Sequence, residues 1–131
     1  MSSTLAFGAP IENEQVIIID GDTVAIGSER IRLLDIDAPE TKEPRCEAEM
    51  VRGLEAKERL RSLLRSARAI DLDRSGGRDR YGRTLGRLMV DGRDVGAVLV
   101  AEGLAVQWQR GHDAWEARAR HWCRLPSAAE K

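Results

Sequence analysis

Gln15 to Ile36 reads Gln-Val-Ile-Ile-Ile-Asp-Gly-Asp-Thr-Val-Ala-Ile-Gly-Ser-Glu-Arg-Ile-Arg-Leu-Leu-Asp-Ile, and this stretch decides the fold. It is rich in β-branched residues, which favour strands: Ile17, Ile19, Val24 and Ile26. Gly27-Ser28-Glu29 supplies a turn between two of the apolar runs. The pattern predicts three consecutive strands that form a meander.

The next periodic segment, from about Met50 to Ala67, repeats apolar residues at helical spacing, with arginine, lysine and glutamate between them. The apolar positions are Ala56, Leu60, Leu63, Leu64 and Ala67. Two more strand-like runs follow, around Ile70 to Asp73 and Leu85 to Val90, on either side of a glycine-containing loop. Five strands with a helix between the third and the fourth match the OB-fold, a small Greek-key barrel of the α+β class.

Two short helices are predicted after the barrel. Asp94 is placed as the N-cap of the first, and Gly103 can adopt the left-handed conformation that ends it. Asp113 to Trp122 offers about three turns for the second. Trp115 and Trp122 lie seven residues apart, on one helical face, so we expect both to be buried against the barrel.

Length and composition indicate a single small domain. A chain of 131 residues with 42% hydrophobic residues can bury one core, and no Pro- or Ser-rich linker divides it. We predict a domain over residues 15–125 between tails at 1–14 and 126–131. The apolar runs are too short to span a bilayer. A net charge of -1 argues against a large basic surface, so affinity for a polyanion should come from contacts local to a site.

Carboxylates and arginines gather around the segment Asp35-Ile36-Asp37-Ala38-Pro39-Glu40-Thr41. Asp20-Gly21-Asp22-Thr23 and Arg32 precede it, and Asp79-Arg80-Tyr81-Gly82-Arg83 follows it. Carboxylates gather where a hard cation needs oxygen ligands. Arginines beside them indicate an anion with phosphate geometry as the other partner of the cation. The combination predicts phosphodiester hydrolysis.

In chain order the three motifs are Asp20-Gly21-Asp22-Thr23, then Arg32 with Asp35 to Thr41, then Asp79-Arg80-Tyr81-Gly82-Arg83. With the predicted helix between the second and the third, they resemble the staphylococcal nuclease (thermonuclease) family. The resemblance runs from about Val16 to about Ala105 and weakens beyond it, where the family usually continues with a longer loop and helix. It implies an SNase-like OB-fold barrel. The shorter C-terminus leaves the shape of the base pocket open.

The resemblance also implies roles for individual residues. Asp22, Asp37 and the backbone carbonyl of Ala38 would hold one Ca²⁺; Mg²⁺ is the lesser choice because it demands stricter geometry. Glu40 would orient and deprotonate the attacking water, and Arg32 and Arg83 would bind the phosphate. Substrate contacts are implied for Arg80, Tyr81 and Trp108. Ala38 stands where the prototype has threonine and Arg80 where it has lysine, so a hydroxyl at the metal site is lost.

The implied activity is a calcium-dependent endonuclease that hydrolyses DNA and RNA with little sequence preference, favours single strands and leaves 3′-phosphates. We expect a monomer with no obligate protein partner and no membrane contact. The alternative is a non-catalytic OB-fold module that binds nucleic acid or protein. Singly, Asp22 could shape a turn, Arg32 could pair across strands and Glu40 could cap the next segment. Turn formation does not explain why they occur together.

Cys46 and Cys123 are the only cysteines, and both lie outside the predicted barrel strands. An isolated pair of this kind is often two reduced thiols, and a metal role is unsupported because neither His112 nor His121 has a partner at metal-site spacing. The active-site loop and the C-terminal segment could nevertheless meet, so we predict a disulfide between them. It would imply an oxidising compartment, periplasmic or extracellular. Met1 to Pro10 has no signal-peptide pattern.

Overall fold

In the computed structural model, which describes residues 10–124, the first three strands form the predicted meander. They are β1 (Val16–Asp20), β2 (Thr23–Ile26) and β3 (Glu29–Leu33), paired antiparallel in sequence order. The β1–β2 register shifts between Ile18 and Asp20. Leu33 N donates to Asp22 O across 2.8 Å. The turn that carries Asp22 is therefore fixed beside the end of β3.

The predicted long helix is α1 (Glu47–Arg65), and its predicted apolar stripe is the face that packs on the sheet. Ala56, Leu60, Leu63 and Leu64 are all buried. Strands β5 (Ile70–Asp73) and β6 (Thr84–Val90) follow it, paired antiparallel. Strand β6 also runs parallel to β3, which gives the sheet order β1-β2-β3-β6-β5 and curls it around the core.

Three two-residue strands complete the architecture and were not predicted, because two residues show no periodicity. Strand β7 (Arg93–Asp94) pairs with β6. Strand β4 (Ile36–Asp37) pairs with β8 (Val106–Gln107), so that Asp37 stands opposite Val106. The β4–β8 ladder ties the predicted site to the chain after the second helix. The result is the predicted SNase-like OB-fold, with three α-helices among residues 10–124.

Helix α2 (Val95–Ala101) has the predicted caps. The Asp94 carboxylate accepts from Gly96 N at 2.9 Å, and Gly103 has a φ of +78°. Helix α3 (His112–Cys123) packs against α1. No described helix is long and apolar enough to cross a bilayer.

The expectation for the two tryptophans of α3 is half wrong. Trp122 is buried, with 1% of its surface exposed, whereas Trp115 is 48% exposed. The ring of Trp115 lies 5.3 Å from the Arg45 guanidinium carbon, a cation–π distance. Because α3 packs against α1, the helix is buried mainly at its C-terminal end, and Trp115 meets the loop before α1 instead of the barrel.

Cys46 and Cys123 form a disulfide in the structure, with Cα atoms 5.9 Å apart. Cys46 is also the N-cap of α1, and its Sγ accepts from Glu49 N at 3.3 Å. The bridge therefore joins the end of α3 to the start of α1. Of the predicted tails, 126–131 and 1–9 lie outside the described residues, while Ile11 packs against the core.

We expect the bridge to form in solution and to stabilise the fold. It closes a separation of 77 residues, which corresponds to about 4.5 kcal/mol in the chain-entropy model. Urea unfolding of the wild type and of a Cys46→Ser/Cys123→Ser variant measures this, and serine at position 46 preserves the N-cap. Two alkylatable thiols in protein purified under air, or equal stability of the two proteins, would contradict the prediction.

Candidate functional site

The Arg32 guanidinium lies between two carboxylates that come from different parts of the chain. Its Nη2 is 3.5 Å from Asp37 Oδ1 at the end of β4 and 3.7 Å from Asp22 Oδ2 in the β1–β2 turn. Its Nη1 donates to the carbonyls of Leu33 and Ile36, both at 2.9 Å. Arg32 is held by the backbone and presents its other nitrogen to both acids.

Asp22 is buried, and both of its oxygens are engaged. Oδ2 accepts from Ala38 N at 2.8 Å, and Oδ1 accepts from the Thr23 hydroxyl at 3.0 Å. The turn comes this close because position 21 is glycine: a Cβ on Gly21 would lie 2.9 Å from the Cβ of Ala38. The structure thus brings Asp22, Asp37 and the backbone of Ala38 together.

The loop that carries Glu40 is fastened on both sides by buried acids. Glu49 accepts from Glu40 N at 2.9 Å and from Arg45 N at 2.8 Å, and it pairs with the Arg45 guanidinium. Asp20 accepts from the backbone amide and the hydroxyl of Thr41. Asp20 therefore fastens the loop at Thr41.

Gly53 on α1 explains how closely this loop approaches the helix. A Cβ at position 53 would lie 2.6 Å from the Thr41 methyl and 2.9 Å from the Pro39 carbonyl oxygen. Any side chain there would push the loop outward. The position of Glu40 therefore depends on a glycine that shows no signal in a helical sequence pattern.

Negative charge is crowded at this site. Burial, followed by repulsion from Asp22, raises the pKa of Asp37 to about 6. Burial, followed by repulsion from Asp20, Asp22, Asp37 and Glu49, raises the pKa of half-buried Glu40 to about 7. Glu49 behaves differently: burial alone would raise its pKa, but hydrogen bonds from Arg45 and Glu40 N hold the pKa below its usual range. Negative charge therefore exceeds positive charge around Asp37 and Glu40.

The available ligand atoms fit a hard divalent cation. Two side chains and one backbone carbonyl would supply them, and other groups would have to complete the coordination. Asp22, Asp37 and the Ala38 carbonyl offer only oxygen, which suits Ca²⁺. A cation there would offset the repulsion that raises the pKa of Asp37. Residues 10–124 contain no group of three acidic, histidine or cysteine side chains close enough to bind a metal by themselves. The ring of His121 packs edge-on against that of Trp122, and the side chain of His112 is not among those that the structure describes.

The Asp79–Arg83 motif forms a closed turn that holds Arg83. Asp79 Oδ1 accepts from the backbone amides of Tyr81 and Arg83, both at 2.9 Å, while Oδ2 accepts from Arg83 Nε at 2.7 Å. Gly82 has a φ of +83°, which glycine adopts without strain. Arg83 Nε donates within this turn and the guanidinium carbon lies 5.5 Å from the Tyr81 ring, whereas among the described residues the Nη atoms make no hydrogen bond. Asp79 is thus the residue that positions Arg83.

A cavity of about 440 Å³ joins this turn to Arg32, and we call it the Arg83 cavity. Its lining includes Arg32, Asp79, Arg80, Tyr81, Arg83 and Trp108. Arg80 Nη2 is 3.0 Å from the Tyr81 hydroxyl. Trp108 N donates to Asp35 O at 2.8 Å, which keeps the half-exposed indole at the rim. The predicted phosphate and nucleotide residues therefore share one cavity.

Arg118 is a site residue that sequence reasoning missed. Its Nε lies 3.1 Å from Asp37 Oδ2, its Nη1 donates to Gln109 O at 3.0 Å, and its side chain is only 13% exposed. It comes from α3, beyond the span of the family resemblance, where an arginine in a polar helix pattern reads as solvent-facing. Glu49 was also missed, because nothing in a helical pattern distinguishes a buried acid from an exposed one.

Comparison with known proteins identifies the family to which the chain belongs. A family model described as staphylococcal nuclease homologue matches residues 30–130. Similar curated proteins include endonuclease YncB of Bacillus subtilis, 37% identical over 92 residues, which are 66% of this chain and 43% of that protein. Succinoglycan biosynthesis protein ExoI of Rhizobium meliloti is 38% identical over 96 residues, 70% of this chain and 50% of that protein.

A thermonuclease of Staphylococcus intermedius is 32% identical over 92 residues, 67% of this chain and 54% of that protein. The chain thus spans about half the length of the curated relatives it matches. The family model, by contrast, covers most of this chain, including Arg32, Asp37, Glu40 and Arg83. Since this match spans more than half of the chain, the chain belongs to the family of staphylococcal nuclease homologues.

Proposed function

We propose that the protein is a Ca²⁺-dependent nuclease that hydrolyses DNA and RNA with little sequence preference, favours single strands and leaves 3′-phosphate ends. The observation that carries the proposal is the position of Arg32, which contacts Asp22 and Asp37 and also lines the Arg83 cavity. A phosphodiester in that cavity would lie between the acids and the second guanidinium. Family membership and the names of two relatives, an endonuclease and a thermonuclease, support it.

In this proposal the two arginines act on the charge of the phosphate. Arg32 is fixed by two carbonyls and Arg83 by Asp79, so neither has to reorganise when charge grows on the equatorial oxygens. Glu40, on the loop fastened by Glu49 and Asp20, orients the attacking water and takes its proton. Positioning and electrostatics together supply the rate enhancement.

Asp22, Asp37 and the Ala38 carbonyl are the proposed Ca²⁺ ligands. When bound, the cation would polarise a phosphate oxygen and offset the crowded carboxylates. Arg80 and Tyr81, at the exposed tip of the turn, would hold the terminal phosphate of the nucleotide, and Trp108 at the cavity rim would stack on a base. Stacking accepts any base, which is consistent with low sequence preference.

The proposed setting is an oxidising compartment, periplasmic or extracellular, in which the protein acts as a monomer. The Cys46–Cys123 disulfide supports the oxidising compartment, because such bonds persist outside the reducing cytoplasm. Retention of Asp22, Asp37, Glu40 and both arginines favours catalysis over the alternative of a non-catalytic binding module.

The first test is release of acid-soluble nucleotides from single-stranded DNA and from RNA. We expect cleavage with Ca²⁺ and none with excess EDTA, and 3′-phosphate ends on the products. A binding module would retain the nucleic acid without cleaving it in either condition. Full activity in EDTA, or products bearing only 5′-phosphates, would remove the mechanism.

The second test changes the two residues assigned to the transition state. Glu40→Gln and Arg83→Ala should each lower kcat by at least about 10², because each removes a preorganised group that acts in that state. Glu43→Gln, in the same loop and exposed, and Arg65→Ala, at the exposed end of α1, are the matched controls. Near-normal turnover in Arg83→Ala with an unchanged product pattern would show that its role is misassigned.

The third test concerns Arg118, whose positive charge lies on the proposed metal ligand Asp37. Arg118→Met should tighten Ca²⁺ binding by about tenfold, about 1.4 kcal/mol, because it removes a like charge that competes for the same carboxylate. Calorimetric titration measures this, with Arg120→Met on the exposed side of α3 as the control. Unchanged or weaker binding in Arg118→Met would contradict the prediction.

A further inference from the structure

A second cavity, of about 620 Å³, lies between the β2–β3 turn and the loop that leads into β6. Three arginines, Arg30, Arg74 and Arg78, line it together with Glu29 and Thr84. We call it the arginine cleft. No motif or family role described above accounts for it, and none of its lining residues lines the Arg83 cavity.

The charges in the arginine cleft do not cancel. Glu29 pairs with Arg74 through two hydrogen bonds of 2.9 and 2.8 Å and also accepts from the Thr84 hydroxyl at 2.7 Å. Hydrogen bonds from Arg74 and Thr84 hold the pKa of Glu29 at about 2, so this acid stays ionised and paired. Within residues 10–124 neither Arg30 nor Arg78 forms an ion pair, although Arg78 attracts Glu29 at longer range. Two positive charges therefore remain available to an anion.

The two cavities lie on opposite faces of one hairpin. Its arms are joined by hydrogen bonds from Leu85 N to Gly77 O at 2.8 Å and from Asp79 N to Arg83 O at 2.9 Å, with a bridge between Arg78 and Thr84. Because side chains alternate along paired strands, Arg78 and Thr84 face the arginine cleft while Asp79, Arg83 and Leu85 face the Arg83 cavity. At the exposed tip, Arg80 and Tyr81 line the Arg83 cavity, and Gly82 beside them lines the arginine cleft.

We propose that the arginine cleft binds backbone phosphates of the polynucleotide after it has crossed the hairpin tip, so that the preferred substrate is a chain of several nucleotides. This rests on the proposed nuclease function and adds to it a binding surface outside the cleavage site. Guanidinium groups match phosphate geometry. No aromatic side chain is among the lining residues, so this contact would be to the backbone and would not read sequence.

The test measures binding of a dinucleotide and of a twelve-nucleotide single-stranded DNA by fluorescence anisotropy, with Ca²⁺ and in a Glu40→Gln background that slows cleavage. Arg30→Gln/Arg78→Gln should weaken binding of the long DNA about tenfold and leave the dinucleotide unchanged. The slope of log K against log salt should fall by about 1.4, since each phosphate contact in a single strand contributes about 0.7. Arg74 is kept because it holds Glu29.

Two further variants keep the result interpretable. Arg65→Gln/Arg68→Gln removes the same charge at the end of α1, outside both cavities, and should leave the salt slope unchanged. Arg30→Lys/Arg78→Lys keeps the charge and should retain most of the slope, which separates a lost contact from a damaged fold.

Three results would overturn the inference. Unchanged affinity and slope in Arg30→Gln/Arg78→Gln would do so while leaving the nuclease proposal intact. An equal loss for the dinucleotide and the long DNA would place the effect at the cleavage site and not in the cleft. A wild-type protein that neither cleaves nor binds nucleic acid of any length would overturn both proposals.

Discussion

The contact of Arg32 with Asp22 and Asp37 is the interaction on which the site depends. The β1–β2 turn, β3 and β4 each supply one of these side chains, so the acids can meet only if the meander has the observed register. The β4–β8 ladder and the Gly21 approach to Ala38 then fix the second acid against the first. The barrel serves to hold two carboxylates near one guanidinium.

Crowding like charges costs stability, and the surroundings show how it is offset. Arg118 and Arg32 contact Asp37 from two sides, and Arg45 neutralises the buried Glu49. These cations reach the site from α3, β3 and the loop before α1. The disulfide at the end of α3 keeps Arg118 within reach, which links the short C-terminal helix to the chemistry of the acids. The repulsion that remains at Asp37 and Glu40 is what a divalent cation would relieve.

The sequence predicted the elements that show a regular residue pattern and the residues that belong to a known motif. Branched residues and helical spacing predicted the meander and α1, and the family resemblance carried by the three motifs implied which acids and arginines form the site. It could not show β4 and β8, because two residues carry no period, or the exposure of Trp115, because equal spacing on a helix does not say what the helix packs against. Contacts between residues far apart in the sequence leave no local pattern, so the roles of Arg118, Glu49 and Gly53 could not be predicted.

The central claim is that Asp22 and Asp37 form a cation site, at which a bound divalent cation offsets the repulsion between the carboxylates. Thermal unfolding of the wild type and of Asp37→Asn, each with Ca²⁺ and with EDTA, tests it directly, because a ligand that binds only the folded state raises the unfolding midpoint. The account predicts that Ca²⁺ raises the midpoint of the wild type and leaves that of Asp37→Asn unchanged. No change in the wild type, or an equal rise in both proteins, would contradict it.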